Sequence, residues 1–257
     1  MPALDAIANE LDALLRIAEI PDYAHALNGV QVANRGEITR VAAAVDLSRR
    51  TIQGALDAGA NLLLVHHGLF WGGLRPVRGP QYDRLSLLLG RNLALYSAHL
   101  PLDAHPTLGN NVLLAAELGL TPAVGFARYE TTDIGVRGEA DVATAELAER
   151  TRTFARTHGG DIRTTPLTAG QRTRRWAICT GAGADAATLK EAALQRIDTL
   201  IVGEGAHWTA VEAEEIGLTI IYAGHYATET LGVRALAAHV SERFALPWTF
   251  IAAPTGL

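Results

Sequence analysis

Six short apolar runs, each closed by a polar or glycine-containing turn, constrain this chain more than any other feature. They are VAAAVDL (41–47), NLLLVHH (61–67), LALYSAHL (93–100), RWAICTG (175–181), DTLIVGE (198–204) and LTIIYAGH (218–225). Helical stretches such as SRRTIQGALDAGA and ADAATLKEAALQR separate them. Continuous apolar strands alternating with helices predict an α/β fold whose mostly parallel sheets are covered on both faces. In such sheets functional groups collect beyond the carboxyl ends of the strands. The second run ends there in His66, His67 and Gly68. Adjacent side chains point to opposite faces inside a strand. At a strand's end, a glycine free to adopt unusual dihedrals lets both rings reach one cluster.

The two halves of the chain read alike. YSAHLPLD and YAGHYATE align without a gap, pairing Tyr96 with Tyr222, His99 with His225 and Asp103 with Glu229 (222 − 96 = 225 − 99 = 229 − 103 = 126). Both stretches carry His-x-x-x-acid after an apolar run. The expected architecture is therefore two duplicated α/β repeats, residues 1–126 and 127–257, with a metal site between them. If the halves face each other about a pseudo-twofold axis, the two turns converge on one cavity.

His66, His67, His99, His225, Asp103 and Glu229 then form one pool of donors. Imidazole mixed with carboxylate suits zinc, iron, manganese, nickel or cobalt, whereas calcium takes oxygen alone. A closed structural zinc needs only four ligands, so a larger pool favours two ions bridged by a carboxylate. Ions ~3.5–4 Å apart can activate water near neutral pH. A solvated His–His loop and a surface His–Glu pair are the alternative readings of the same residues. The glycine-rich GAGAD (181–185) lacks the full dinucleotide fingerprint and reads as a tight strand-to-helix turn.

Composition narrows the class further. At 257 residues, 49% hydrophobic and 19% charged, the chain is globular, with room for one large domain or two small ones. A net charge of −5 with interspersed signs gives no electrostatic footprint for wrapping nucleic acid. Cys179 is the single cysteine and lies in an apolar run, so a reduced, buried thiol is expected. The opening stretch MPALDAIANELDALLRIAEI is an acidic amphipathic helix rather than a signal peptide. No apolar run reaches the ~18 residues of a membrane span. A soluble, cytoplasmic protein is expected.

Several stretches taken together resemble the Ngg-interacting-factor-three-like family, also described as dinuclear-metal-centre hexameric proteins or GTP cyclohydrolase I type 2 homologues. They are NGVQV (28–32), GANLLLVHHGLFW (59–71), LYSAHLPLDAHPTLGNNVLLAAELGL (95–120), WAICTGAG (176–183), DTLIVGE (198–204) and GHYATETLGVRAL (224–236). The resemblance implies that His66, His67, Asp103, His225 and Glu229 hold two divalent ions, with Glu229 bridging. It places His99 in the lining of the site and makes Glu204, on the GE turn, a supporting residue; either could move protons. It further implies intertwined repeats, a ring-shaped homohexamer, and hydrolytic opening of the imidazole ring of GTP or a similar small substrate. The alternative is a non-enzymatic metal-binding scaffold or metallochaperone. For phosphate contacts, the only lysine, Lys190, lies mid-helix away from the motifs, whereas Arg75, Arg78 and Arg84 follow the histidine turn.

Overall fold

All six apolar runs form strands in the computed structural model, which describes residues 1–73 and 75–256. The chain opens with α1 (Leu4–Leu15), β1 (Gly29–Val32), β2 (Val41–Asp46), α2 (Arg49–Asp57), β3 (Leu62–His67), α3 (Pro80–Gly90), β4 (Ala94–Ser97) and α4 (Leu100–Asp103). It continues through α5 (Asn110–Glu117), β5 (Val124–Tyr129), β6 (Thr132–Ala143), α6 (Thr144–Thr157), β7 (Arg163–Thr164) and β8 (Arg172–Cys179). Then come α7 (Ala186–Leu194), β9 (Thr199–Val202), α8 (His207–Glu215), β10 (Thr219–Tyr222) and α9 (His225–Thr228). Helix α10 (Thr230–Phe244) and strand β11 (Trp248–Phe250) close it.

The fold is mixed α/β with two sheets, one in each of two compact units. The first unit comprises residues 1–105 and 232–253; the second comprises residues 106–231 and the chain from Pro254. These divisions fall at His105–Pro106 and Leu231–Gly232, whereas the sequence pattern alone places one boundary at 126–127. The second crossing lies in α10, after which β11 pairs with β2 in the first sheet.

The first sheet has the order β1-β4-β3-β2-β11, parallel except for β1, which runs antiparallel to β4. The second has the order β5-β6-β8-β9-β10-β7. Its β8, β9 and β10 are parallel, while β5, β6 and β7 add antiparallel pairings. In each sheet a parallel triplet carries a short antiparallel strand beside its third member, β1 beside β4 and β7 beside β10.

Burial follows from that order. Strands flanked on both sides and covered on both faces must be apolar throughout, and Val41–Val45 and Leu62–Val65 are indeed buried. Helix α2 covers the first sheet, placing Ile52 and Ala55 against Ala42, Leu63, Val65, Leu88 and Leu95. Ser48 caps it: its side chain accepts from the Thr51 N–H, and the Thr51 hydroxyl accepts from the Ser48 N–H. In the second unit alternate residues divide between two cores. Trp176, Ile178 and Ile201 join one, while Ala177, Cys179, Leu200 and Val202 join the other. Cys179 is thus a core residue, as its apolar run predicts. Among the described residues, no helix is long and apolar enough to cross a membrane.

Candidate metal centre

In the first unit the carboxyl ends of three parallel strands converge on a group of histidines. His66 and His67 end β3, and His99 caps the short helix that follows β4. One ring nitrogen from each of the three lies within 4.8 Å of the others. His66 is fully buried at 0% exposure, and His99 and Asp103 are buried beside it.

Each ring is oriented by an acceptor on Nδ1. His66 Nδ1–H donates to the Ala98 carbonyl at 2.8 Å. His67 Nδ1–H donates to Asp46 Oδ1 at 2.8 Å, across the register pair Asp46–His67 of β2 and β3. His99 Nδ1–H donates to Asp22 Oδ1 at 2.8 Å. A carbonyl or carboxylate oxygen can only accept, so the proton of each neutral ring stays on Nδ1 and Nε2 carries the lone pair.

The loop before β1 holds this arrangement. Asp22 Oδ2 accepts from Asn28 Nδ2 at 2.8 Å and from the Leu100 N–H at 3.1 Å, and Asn28 Oδ1 accepts from the His99 N–H at 2.8 Å. Burial acts to raise the Asp22 carboxyl. Hydrogen bonds from His99, Asn28 and the Tyr23 N–H outweigh it and hold the carboxyl below its usual range. Burial pushes the His99 ring down, against the pull of Asp22, and nearby His66 adds to the fall, so His99 favours its neutral form. Gln31, from the stretch NGVQV, fixes the turn after the histidines: its Oε1 accepts from the Leu69 N–H at 2.6 Å and its Nε2 donates to the Leu27 carbonyl at 2.6 Å.

The second unit builds a smaller group on the same rule. Gly224, at φ +93°, ends the extended chain after β10, and His225 opens α9. His225 Nδ1–H donates to Glu204 Oε1 at 2.8 Å, and its Nε2 lies 3.1 Å from Glu229 Oε1, four residues on. The turn after β8 makes room for that carboxylate. Gly181 has φ +63°, and a Cβ there would come 2.1 Å from Glu229 Oε1. GAGAD is therefore a strand-to-helix turn, and Gly183 packs so closely on Cys179 that a Cβ would come 2.0 Å from its carbonyl oxygen.

The donor chemistry fits a divalent ion. In the first unit His66 Nε2 faces Asp103 Oδ2 at 3.4 Å. A ring whose Nδ1 already donates can be reconciled with that carboxylate only by a proton or a cation on Nε2. The second unit meets the same requirement with a proton: burial acts to lower the His225 ring, but Glu229 and Glu204 outweigh it and raise it to about 9.

The geometry thus gathers His66, His67, His99 and Asp103 in one unit and His225, Glu229 and Glu204 in the other. Asp22, Asp46, Asn28 and Gln31 are the site residues that the sequence reading missed. Asp46 carried a usable signal, a carboxylate ending an apolar strand. Asp22 lies in an irregular loop and carried none.

Two aromatic rings stand beside the first group. The Trp71 indole lies 4.5 Å from the His99 ring at 81° and 5.4 Å from the His67 ring at 68°. Tyr23 lies 6.4 Å from Trp71 at 87° and 5.5 Å from His99.

Fold and side chains together define a two-sheet α/β protein whose buried histidine and carboxylate groups can hold a metal ion. The chain belongs to the Duf34/NIF3 (NGG1p interacting factor 3) family, whose pattern it matches over residues 2–255. It is 40% identical over 259 residues to the GTP cyclohydrolase 1 type 2 homolog of Deinococcus radiodurans, covering 98% of this chain and 94% of that one. The homolog of the same name from Halobacterium salinarum is 43% identical over 241 residues, covering 93% and 94%. Among solved structures, protein ybgI, described as of unknown function, superposes with a TM-score of 0.89 at 36% identity, covering 99% of this chain and 100% of that one. TTHA1606 from Thermus thermophilus does so with a TM-score of 0.83 at 37% identity, covering 98% and 99%.

Proposed function

We propose that this chain is a metal-dependent hydrolase of a small, nucleotide-like substrate, with two divalent ions held by His66, His67, Asp103, His225 and Glu229. The observation that carries the reading is the common orientation of four histidines: each gives its Nδ1–H to an oxygen, which leaves Nε2 as the atom a metal would take, at His225 by displacing a proton. Supporting partners of this kind orient metal-binding rings and raise their basicity. Divalent ions held there would supply Lewis acidity and lower the pKa of water toward neutrality.

The chain's own residues supply orientation and proton transfer. Asp46, Asp22 and Glu204 hold the rings. His99, kept on its neutral side, can take a proton at Nε2, and half-exposed Glu204 can pass one to solvent. The name carried by the curated relatives makes GTP the first substrate to try, with formate as the product of ring opening. The same reading includes a duplicated α/β repeat and a homohexameric ring.

Metal content per chain, measured by elemental mass spectrometry on untagged protein, tests the reading beside the double variant His66→Ala/Glu229→Ala. About two ions per chain, lost in the variant, together with chelator-sensitive formate release from GTP, are expected. An ion-free wild type that also refuses added zinc, manganese, iron, nickel and cobalt would overturn it. Tightly held ions without turnover of any nucleotide would favour a metal-binding scaffold.

A further inference from the structure

We propose that Trp71, with Tyr23 standing across it as a brace, forms a stacking wall for a planar heteroaromatic ring of purine size, placed beside the histidine cluster of the first unit. The inference rests on the hydrolase reading of that site and names the part of the substrate it grips. Large aromatic side chains are usually drawn into a core or pinned beneath other groups. Here Tyr23 is 52% exposed and Trp71 39%, although both lie against histidines that are largely buried.

The rings packed on the indole stand across it rather than stacking on it: His99 at 81°, Tyr23 at 87° and His67 at 68°. An indole packed across its neighbours is held rigid, and its 39% exposure leaves part of its surface to a flat ligand. Centroid distances of 4.5 and 5.4 Å place that surface within one ring's breadth of the His99 and His67 imidazoles. A bicyclic ring stacked on Trp71 would therefore bring its edge to the cluster that the hydrolase reading equips for attack on a ring carbon. Stacking tolerates any flat base and grips the ring rather than a sugar or phosphate.

The backbone around the wall is braced. Gln31 holds the N–H groups of Leu69 and Phe70, at 2.6 and 3.4 Å, and Asp22 Oδ1 accepts from the Tyr23 N–H at 2.7 Å. Asp22 thus ties the tyrosine and the His99 ring to one carboxylate. A wall that shares its anchor with a candidate metal-site ring is positioned with that ring.

Calorimetric titration of the full chain with guanosine and with ribose 5-phosphate, with metal content measured on every sample, tests the wall. Guanosine is expected to bind at least ~10-fold more tightly than ribose 5-phosphate. Trp71→Ala is expected to weaken guanosine ~5- to 150-fold, Tyr23→Ala by less, and Trp71→Phe to keep most of the affinity, all with wild-type metal content.

Equal affinity for the two ligands, or guanosine binding unchanged in Trp71→Ala, would overturn the proposal. Loss of metal in Trp71→Ala would overturn it too, by making the indole a packing support for His99. Metal-loaded wild type that ignores guanosine would sink the wall and leave the metal reading standing. Metal-free wild type that binds guanosine through Trp71 would do the reverse.

Discussion

The parallel triplets β2–β3–β4 and β8–β9–β10 share a strand order, yet they equip their carboxyl ends differently. β3 runs on to His66 and His67, and carboxylates from elsewhere, Asp46 and Asp22, hold rings in place. β9 stops at Val202, and the next residues, Gly203 and Glu204, provide an opening and a supporting carboxylate. Gly203 has no room for a side chain: a Cβ would lie 2.4 Å from the Gly181 carbonyl oxygen and 2.8 Å from the His225 Cα. Histidine and carboxylate can thus exchange places at a strand end, provided every ring keeps an oxygen on Nδ1.

The largest effect is expected from His66→Ala against His225→Ala. Both should weaken metal by more than the ~10- to 100-fold typical of losing a supporting partner. His66→Ala also abandons the buried Ala98 carbonyl, which costs about 1–3 kcal/mol in the metal-free protein. His225→Ala takes its protonated partner from the nearly buried Glu229 carboxylate, so its cost in the metal-free protein should be at least as large. Urea midpoints of the two metal-free variants in the opposite order would break the comparison.

Next come the glycines. Gly203→Ala drives a Cβ into backbone, an overpacking worth about 1–3 kcal/mol. Gly68→Ala meets only the end of the Gln31 side chain, at 2.4 Å, which yields by giving up its bonds to Leu27 and Leu69 while the backbone keeps its place. Thermal unfolding should rank Gly203→Ala clearly below Gly68→Ala; similar midpoints would show that the α9 turn yields as easily as a side chain.

The supporting carboxylates follow. Asp46→Asn should weaken metal binding toward the upper end of the ~10- to 100-fold range, because strand register holds Asp46 against the His67 ring. Glu204→Gln, 46% exposed, should fall at the lower end, where solvent can replace the lost acceptor. Titration with zinc checks the order, and a larger loss in Glu204→Gln would reverse the roles assigned to the two units.

The last effect is one of pH. His225 is raised from 6.5 to about 9 in the metal-free protein, so the folded state binds more protons than the unfolded state between those values. Its contribution to stability is complete below ~6.5 and lost as pH rises through about 9. His225→Gln should flatten that part of the profile, and an unchanged profile would remove the proton from His225.

The six apolar runs were legible because strands covered on both faces need unbroken aliphatic sequence. β1, β5, β6, β7 and β11 lacked that signature. β6, for instance, alternates buried Gly135 and Gly138 with half-exposed and exposed positions, so its twelve residues carry little apolar periodicity. The pool of donors His66, His67, His99, Asp103, His225 and Glu229 was readable from two strand ends and a shared His-x-x-x-acid spacing. The structure gathers the first four in one unit and the last two in the other. Asp22 was not legible, because its partnership with His99 spans 77 positions and is made by a loop without periodicity. The return of the last residues to the first unit was not legible either, because the pairing of β11 with β2 depends on where α10 delivers the chain.

The fixed Nδ1 contacts link metal affinity to heat resistance. Their acceptors lie on strand ends and braced turns, so the rings keep a common tautomer only while the sheets are intact. An ion bound to rings so held would have little affinity for the unfolded chain and would raise the melting temperature with its concentration. Calorimetric scans across metal concentration would then double as binding isotherms, and chelation would shift the whole transition instead of loosening one loop.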